Sequence, residues 1–157
     1  NKDTLLFDDF IFQCSIGKNG IKIKKKEGDY CTPKGTFSLK TLYYRPDRVQ
    51  KPETEIITKK VSKNMGWCND PKNKKYNSLI NIKEKMRYEK IYRQDHKYNF
   101  LIVIDYNLKK PIPHKGSAIF IHLTNNYKPT AGCIALKEKD LLILLKLVNK
   151  KTKIKIS

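Results

Sequence analysis

The stretch Gly116-Ser117-Ala118-Ile119-Phe120-Ile121-His122-Leu123-Thr124, followed by Pro129-Thr130-Ala131-Gly132-Cys133-Ile134-Ala135-Leu136, reads as two short apolar strands around a polar loop. The first run ends at a histidine. The second begins just after a Gly-Cys pair. Strand end, loop and second strand form an economical way to bring two side chains together. A cysteine attacks as its thiolate and needs a base within hydrogen-bond reach. Gly132 permits a tight turn, and the N–H groups of Ala131, Gly132 and Cys133 could then face an incoming carbonyl oxygen as an oxyanion hole. Cys133 is the candidate nucleophile and His122 its candidate base. The competing reading makes Cys133 a buried core residue and His122 a satisfied structural one, which both residue types commonly are.

Outward from this stretch the pattern is mostly β. Phe10–Ile16 and Ile21–Lys24 predict a first hairpin across the turn Gly17-Lys18-Asn19-Gly20, with apolar residues inward and lysines outward. Cys14 falls on that alternating strand as a core residue. Thr36–Tyr44 predicts a long strand, Glu55–Val61 another, and Tyr98–Tyr106 the most deeply buried one. Arg45–Asn77 is otherwise irregular, and Glu84–Lys90 reads as a helical turn or short charged connection. Lys137–Asn149 predicts the one helix, with Leu141, Leu142, Leu144, Leu145 and Val148 on a wide apolar stripe. Glu138 and Asp140 in its first turn and Lys146 near its end match the helix dipole. Lys151–Ile156 alternates again and is expected to close a sheet edge. No repeat, low-complexity block or linker interrupts residues 1–157, so one domain is expected.

Composition narrows the function classes. Lys+Arg number 34 against 15 Asp+Glu, a formal net charge of +19, which would attract any polyanion. Arginine, however, occurs only at 45, 48, 87 and 93, and the lysines are scattered instead of forming a stripe. Bidentate phosphate readers are therefore scarce, and a specific nucleic-acid role is not expected. No apolar run reaches the roughly 20 residues of a membrane-spanning helix. The N-terminal residues lack the pattern of a signal peptide, and the chain does not begin with methionine. Four cysteines (Cys14, Cys31, Cys68, Cys133) and three histidines (His96, His114, His122) show no metal-ligand spacing, so no metal is expected.

The order His, loop, Thr-x-Gly-Cys resembles the active-site signature of the L,D-transpeptidase catalytic domain, or YkuD-like, family. In that family a His precedes a Ser/Thr-His-Gly-Cys element. Further elements fit in the same order: Glu27-Gly28-Asp29, Thr32-Pro33-x-Gly35-Thr36-Phe37, Gly66-Trp67-Cys68-x-Asp70, Tyr76-Asn77, and Gly116–His122. The resemblance runs from about Gly17 to Leu147. It implies a mainly β fold, an L,D-transpeptidase-type β-sandwich with one C-terminal α-helix packed beside it. It also implies acyl transfer on peptidoglycan stem peptides through a Cys133 thioester, in the periplasm or cell envelope, by a monomer with no cofactor. A thioester conserves acyl energy until an amine binds. If water resolves it, the same site is a carboxypeptidase or endopeptidase; a catalytically silent wall-binding module is the third reading.

Loops over a rigid sheet usually carry the substrate contacts. These are expected from Trp67, Asp70, Tyr76 and Asn77, with Trp67 equally readable as core, and from the hydroxyls of Ser117, Thr124 and Thr130. The group that orients His122 is open between a backbone carbonyl and a hydroxyl such as Ser117 or Thr124. A Cys31–Cys68 disulfide also stays open. Three departures make this a divergent branch. His122 lies only 11 residues before Cys133, Ala131 stands where most members have His, and Ala135 stands near the usual Arg or Asn. Lys128 or Lys137 is a possible replacement cation, although a surface lysine is the plainer reading.

Overall fold

Residue Ile102 lies between Leu101 and Val103 on a strand where all five side chains are buried, so that strand has a packed layer on each face. This computed structural model describes residues 3–23, 25–83 and 86–157. Its strands are β1 (Asp3–Phe7), β2 (Phe10–Ser15), β3 (Ile21–Lys22), β4 (Thr32–Pro33), β5 (Gly35–Tyr44), β6 (Thr58–Lys60) and β7 (Met65–Cys68). They continue as β8 (Leu79–Asn81), β9 (Tyr88–Lys90), β10 (Phe100–Ile104), β11 (Phe120–Leu123), β12 (Ile134–Leu136) and β13 (Lys153–Ile156). The helix α1 spans Glu138–Leu147.

The main sheet runs β1-β2-β12-β11-β10-β5-β13, with β6 added beside β5. Alternation sorts its side chains onto two faces. Phe100, Ile102 and Ile104 join Leu42, Ile121, Leu123 and Leu136 on the face covered by Leu141, Leu144 and Leu145 of α1. Leu101, Val103, Phe120 and Cys133 join Tyr43 on the other face, under Trp67 and Ile91. Trp67 belongs to a second sheet, β8-β7-β9, laid over that face. The result is the mainly β sandwich that the resemblance implies, with one helix, near the C-terminus, among the described residues.

Several expectations change in detail. Residues Phe10–Ser15 do not pair with Ile21–Lys22. Strand β2 instead turns back on β1, with Phe7 opposite Phe10, and gives its other edge to β12, with Ser15 opposite Ala135. With both edges taken, β3 has nowhere to dock on β2 and pairs in parallel with β4. Lys24 lies outside the described residues. The segment read as a helical turn, Glu84–Lys90, has its first two residues outside the described set, and its end is strand β9, held by the free edge of β7. The expected strand at Glu55–Val61 shrinks to β6, parallel to β5. Strand β13 does close an edge, antiparallel to β5. The four cysteines are all free thiols, so Cys31 and Cys68 are not joined.

Strands β11 and β12 are parallel neighbours, with His122 opposite Ala135 and Ile121 opposite Ile134. Their connection has no helix. The loop between them is tied instead to the N-terminal part of the chain by a bridge between Thr130 and Gly17.

Leu145→Ala should cost about 2–5 kcal/mol, because the buried leucine leaves a cavity between α1 and the sheet. Ile143→Ala, on the exposed side of the same helix at 40 % exposure, should stay within about 0.5 kcal/mol. Urea unfolding followed by circular dichroism distinguishes the two.

Candidate active site

Strand register places the chemistry. His122 and Ala135 are partners across the β11–β12 ladder, and Cys133, two residues before Ala135, projects from the same face. One step along the ladder Phe120 meets Cys133, and its N–H lies 3.4 Å from the sulfur. A cavity of about 530 Å³ opens here, with His122, Cys133 and Ala135 all on its wall. The small side chain of Ala135 leaves the space between the histidine and the cysteine unfilled.

Both groups rest uncharged. The Cys133 thiol points to the Ala118 carbonyl at 3.3 Å, and burial, aided by the Glu89 charge, pushes it up to about 12. Burial pulls His122 down to about 4, opposed by its bond to Leu123 and reinforced by Lys97 and Arg93. The sequence paired a thiol with a candidate base; at rest the site holds a thiol and a neutral ring. His122 Nδ1–H donates to the Leu123 carbonyl at 2.8 Å. A backbone carbonyl therefore orients the ring, and Nε2 is left as the nitrogen able to accept a proton. The edge of the ring packs against Tyr98, with centroids 5.3 Å apart.

The loop before Cys133 is braced from within. Thr130 Oγ accepts from the Gly132 N–H at 3.1 Å and donates to the Cys133 carbonyl at 2.6 Å. The Gly132 N–H is thus spent on Thr130 and does not face the cavity as an oxyanion donor. Gly132 has φ of +141°, and a Cβ there would lie 2.7 Å from the Cys31 carbonyl oxygen. No side chain fits that position. Lys25 packs its stem over Gly132 and Gly116 and ends in an ion pair with Asp29 at 2.8 Å, with only 3 % of the residue exposed.

The other expected site residues divide into wall and support. Ser117, Thr130 and Ala131 line the cavity. Trp67, Asp70, Tyr76, Asn77 and Thr124 are not on its wall. Trp67 sits in a strand, not a loop; it is 5 % exposed and meets Phe120 edge-on at 5.1 Å. Its indole N–H donates to Asn77 Oδ1 at 2.9 Å, and the same oxygen accepts the Ala118 N–H at 3.0 Å. Asn77 Nδ2 donates to the carbonyls of Tyr106 and Asn107. Ala118 is held in a left-handed conformation, φ +54°, with its carbonyl on the Cys133 thiol. Trp67 and Asn77 thereby position Cys133 from behind.

Tyr76 and Ser117 both donate to Glu27 Oε2, at 2.5 and 2.7 Å, which ties the Glu27-Gly28-Asp29 loop to the strand approach at Gly116. Asp70 accepts the Lys72 N–H within a turn, and Thr124 Oγ accepts the Tyr127 N–H. Of the two lysines considered, Lys128 is on the wall, whereas Lys137 lies over the Tyr127 ring at 5.4 Å. Sequence reasoning missed Lys25, Glu27, Glu89, Arg93, Lys97 and Tyr98, all of which reach the cavity. Among the described residues, no three His, Cys, Asp or Glu are grouped to hold a metal ion.

Residues 3–156 match the family model of the L,D-transpeptidase catalytic domain, YkuD. The chain belongs to this family. Among curated proteins and solved structures, none matches the chain significantly. In this YkuD domain a cysteine after Gly132 and the strand histidine His122 share one cavity wall, with alanines at 131 and 135. No helix among the described residues is long and apolar enough to cross a membrane.

Two outcomes test this arrangement. Trp67→Ala should lower stability by about 3–5 kcal/mol, since it empties a core site and leaves Asn77 Oδ1 short of a donor; chemical denaturation measures it. The second concerns pH. His122 binds its proton near pH 6.5 when unfolded but only near pH 4 when folded, so the unfolded chain carries more protons between those values. Stability from keeping the ring neutral is complete above pH 6.5 and is lost as pH falls through 4, by up to roughly 3 kcal/mol. His122→Phe should remove this slope from a plot of unfolding free energy against pH.

Proposed function

We propose that this protein is a peptidoglycan L,D-transpeptidase that joins stem peptides through a thioester on Cys133. The observation that carries the reading is the pairing of Cys133 and His122 on one cavity wall, with His122 Nδ1 already committed to Leu123. Family membership supports the acyl-transfer chemistry and the cell-wall peptide as substrate class.

The steps follow from the resting charges. Because thiol and ring are both neutral, a thiolate forms only as the donor peptide arrives and excludes water. His122 Nε2 takes the Cys133 proton, and the sulfur attacks the stem-peptide carbonyl carbon. The tetrahedral oxyanion is held by the N–H groups of Ala131 and Cys133, because Gly132 is spent on Thr130. Losing one such donor typically costs about 3 kcal/mol of barrier. The imidazolium then protonates the leaving amine, D-alanine departs, and the acyl group stays on Cys133. An amine from a second stem peptide attacks the thioester and leaves the cross-link; attack by water gives the shortened peptide instead.

Location in the cell envelope agrees with this substrate. The net charge of +19 would concentrate the protein on an anionic wall polymer, an attraction screened within about 8 Å at physiological salt.

The test is the intact mass of the protein after exposure to a carbapenem, a β-lactam that acylates a cysteine nucleophile of this kind. The wild type should gain one adduct, mapped to Cys133. Cys133→Ala should gain none and remain folded, and His122→Ala should acylate at least 100-fold more slowly. An adduct on Cys14, or none on wild-type protein, would refute the reading.

A further inference from the structure

Cations outnumber acids on the cavity wall, although Lys25 and Arg93 are paired with Asp29 and Asp95. Lys25, Arg87, Arg93, Lys97 and Lys128 all reach it, while its acids among the described residues are Glu27 and Glu89. An attacking amine arrives as an ammonium ion at neutral pH and meets more cations than acids on this wall. It needs a carboxylate both to hold it and to remove its proton.

The two acids are not equivalent. Glu27 Oε2 already accepts two hydroxyls, from Tyr76 and Ser117, and serves as a brace between loops. Glu89 comes from the opposite layer. It stands on β9, opposite Trp67 of β7, and so hangs over the nucleophile face of the main sheet. Glu89 Oε1 accepts the Tyr98 hydroxyl, and Oε2 has no hydrogen-bond partner among the described residues. Tyr98 in turn packs on His122 and is capped by Arg93, 5.1 Å above its ring. Glu89 does not orient the histidine, because that role belongs to the Leu123 carbonyl.

We propose that Glu89 is the catalytic base of the second half-reaction, binding the acceptor ammonium and taking its proton so that the thioester is resolved by an amine in preference to water. The inference rests on the transpeptidase reading of the same site. Glu89 carboxylate removes one proton from R–NH3+, and the freed nitrogen lone pair attacks the thioester carbonyl carbon. The C–N bond forms and the C–S bond breaks. A second nitrogen proton passes through His122 to the departing sulfur, leaving an amide, a Cys133 thiol and a protonated Glu89 that loses its proton to solvent. Burial raises the Glu89 carboxyl, opposed by the Tyr98 hydrogen bond, which makes it the stronger base.

The experiment compares wild type and Glu89→Gln, which keeps an oxygen for Tyr98. Each is given a stem tetrapeptide donor with either 1,5-diaminopentane, a cation, or hydroxylamine, which is neutral at pH 7. Mass spectrometry measures amide, hydroxamate and hydrolysed tripeptide. In E89Q the amide-to-tripeptide ratio should fall about 100-fold, the lower range for a positioned base. The hydroxamate-to-tripeptide ratio should stay within about threefold. An unchanged amide ratio, or amide and hydroxamate falling together, overturns the role of Glu89 while the transpeptidase reading stands. If wild-type protein forms no acyl-enzyme with the tetrapeptide, the reading itself fails and the inference with it. Should E89Q not fold, Glu89→Asp gives the same readout. Its carboxylate, one methylene shorter, must lower the amide ratio alone, and equal ratios overturn the proposal.

Discussion

The carboxamide of Asn77 is the constraint on which the placement of Cys133 depends. Its oxygen accepts from Trp67 and from the Ala118 backbone, and its nitrogen donates to two further carbonyls, at Tyr106 and Asn107. All its hydrogen-bonding capacity is used inside the protein, so it fits one arrangement only. Through it the small sheet, the loop after β10 and the approach to β11 are fixed relative to one another. Ala118 is left with a backbone conformation that is costly for a residue with a side chain, and its carbonyl meets the Cys133 thiol. The site is therefore rigid because of a polar clamp behind it.

That rigidity suits a pair that rests neutral. Burial disfavours both a thiolate and an imidazolium, so a charged Cys133–His122 pair is costly in the resting cavity. Cations outnumber acids on the wall, which favours negative over positive charge inside the cavity. Ala135, where a larger side chain would fill the gap, keeps both groups open to the same cavity.

The main strands, the C-terminal helix and the Cys133–His122 juxtaposition were legible in the sequence, because each rests on short-range periodicity or a compact motif. The strand Phe100–Ile104 was visible as an unbroken apolar run, and α1 through its leucine stripe. The pairing of β2 was not legible: alternation fixes which face a strand buries but not its neighbour, and β12, the actual partner, lies over a hundred residues away. Trp67 was misplaced for a related reason, since Met65–Cys68 is a strand only because β8 and β9 flank it. The missed wall residues had one available signal. In a chain so rich in lysine, the four arginines mark places that need a planar fork. Arg45 and Arg48 hold the carbonyls of Arg93, Gln94 and Asp95, and Arg93 grips Asp95 in two bonds. Together they shape the segment that leads to Lys97 and Tyr98.

The bridge between β2 and β12 also sets an order in time. Ser15 meets Ala135 only when the two ends of the chain have come together, and the loop carrying Cys133 is anchored to Gly17 by Thr130. Closing so long a loop is entropically expensive and kinetically slow. The loop carrying Cys133 thus gains its anchor on the N-terminal segment only through this distant pairing. Until that pairing closes, the N-terminal strands give the Cys133 loop no anchor.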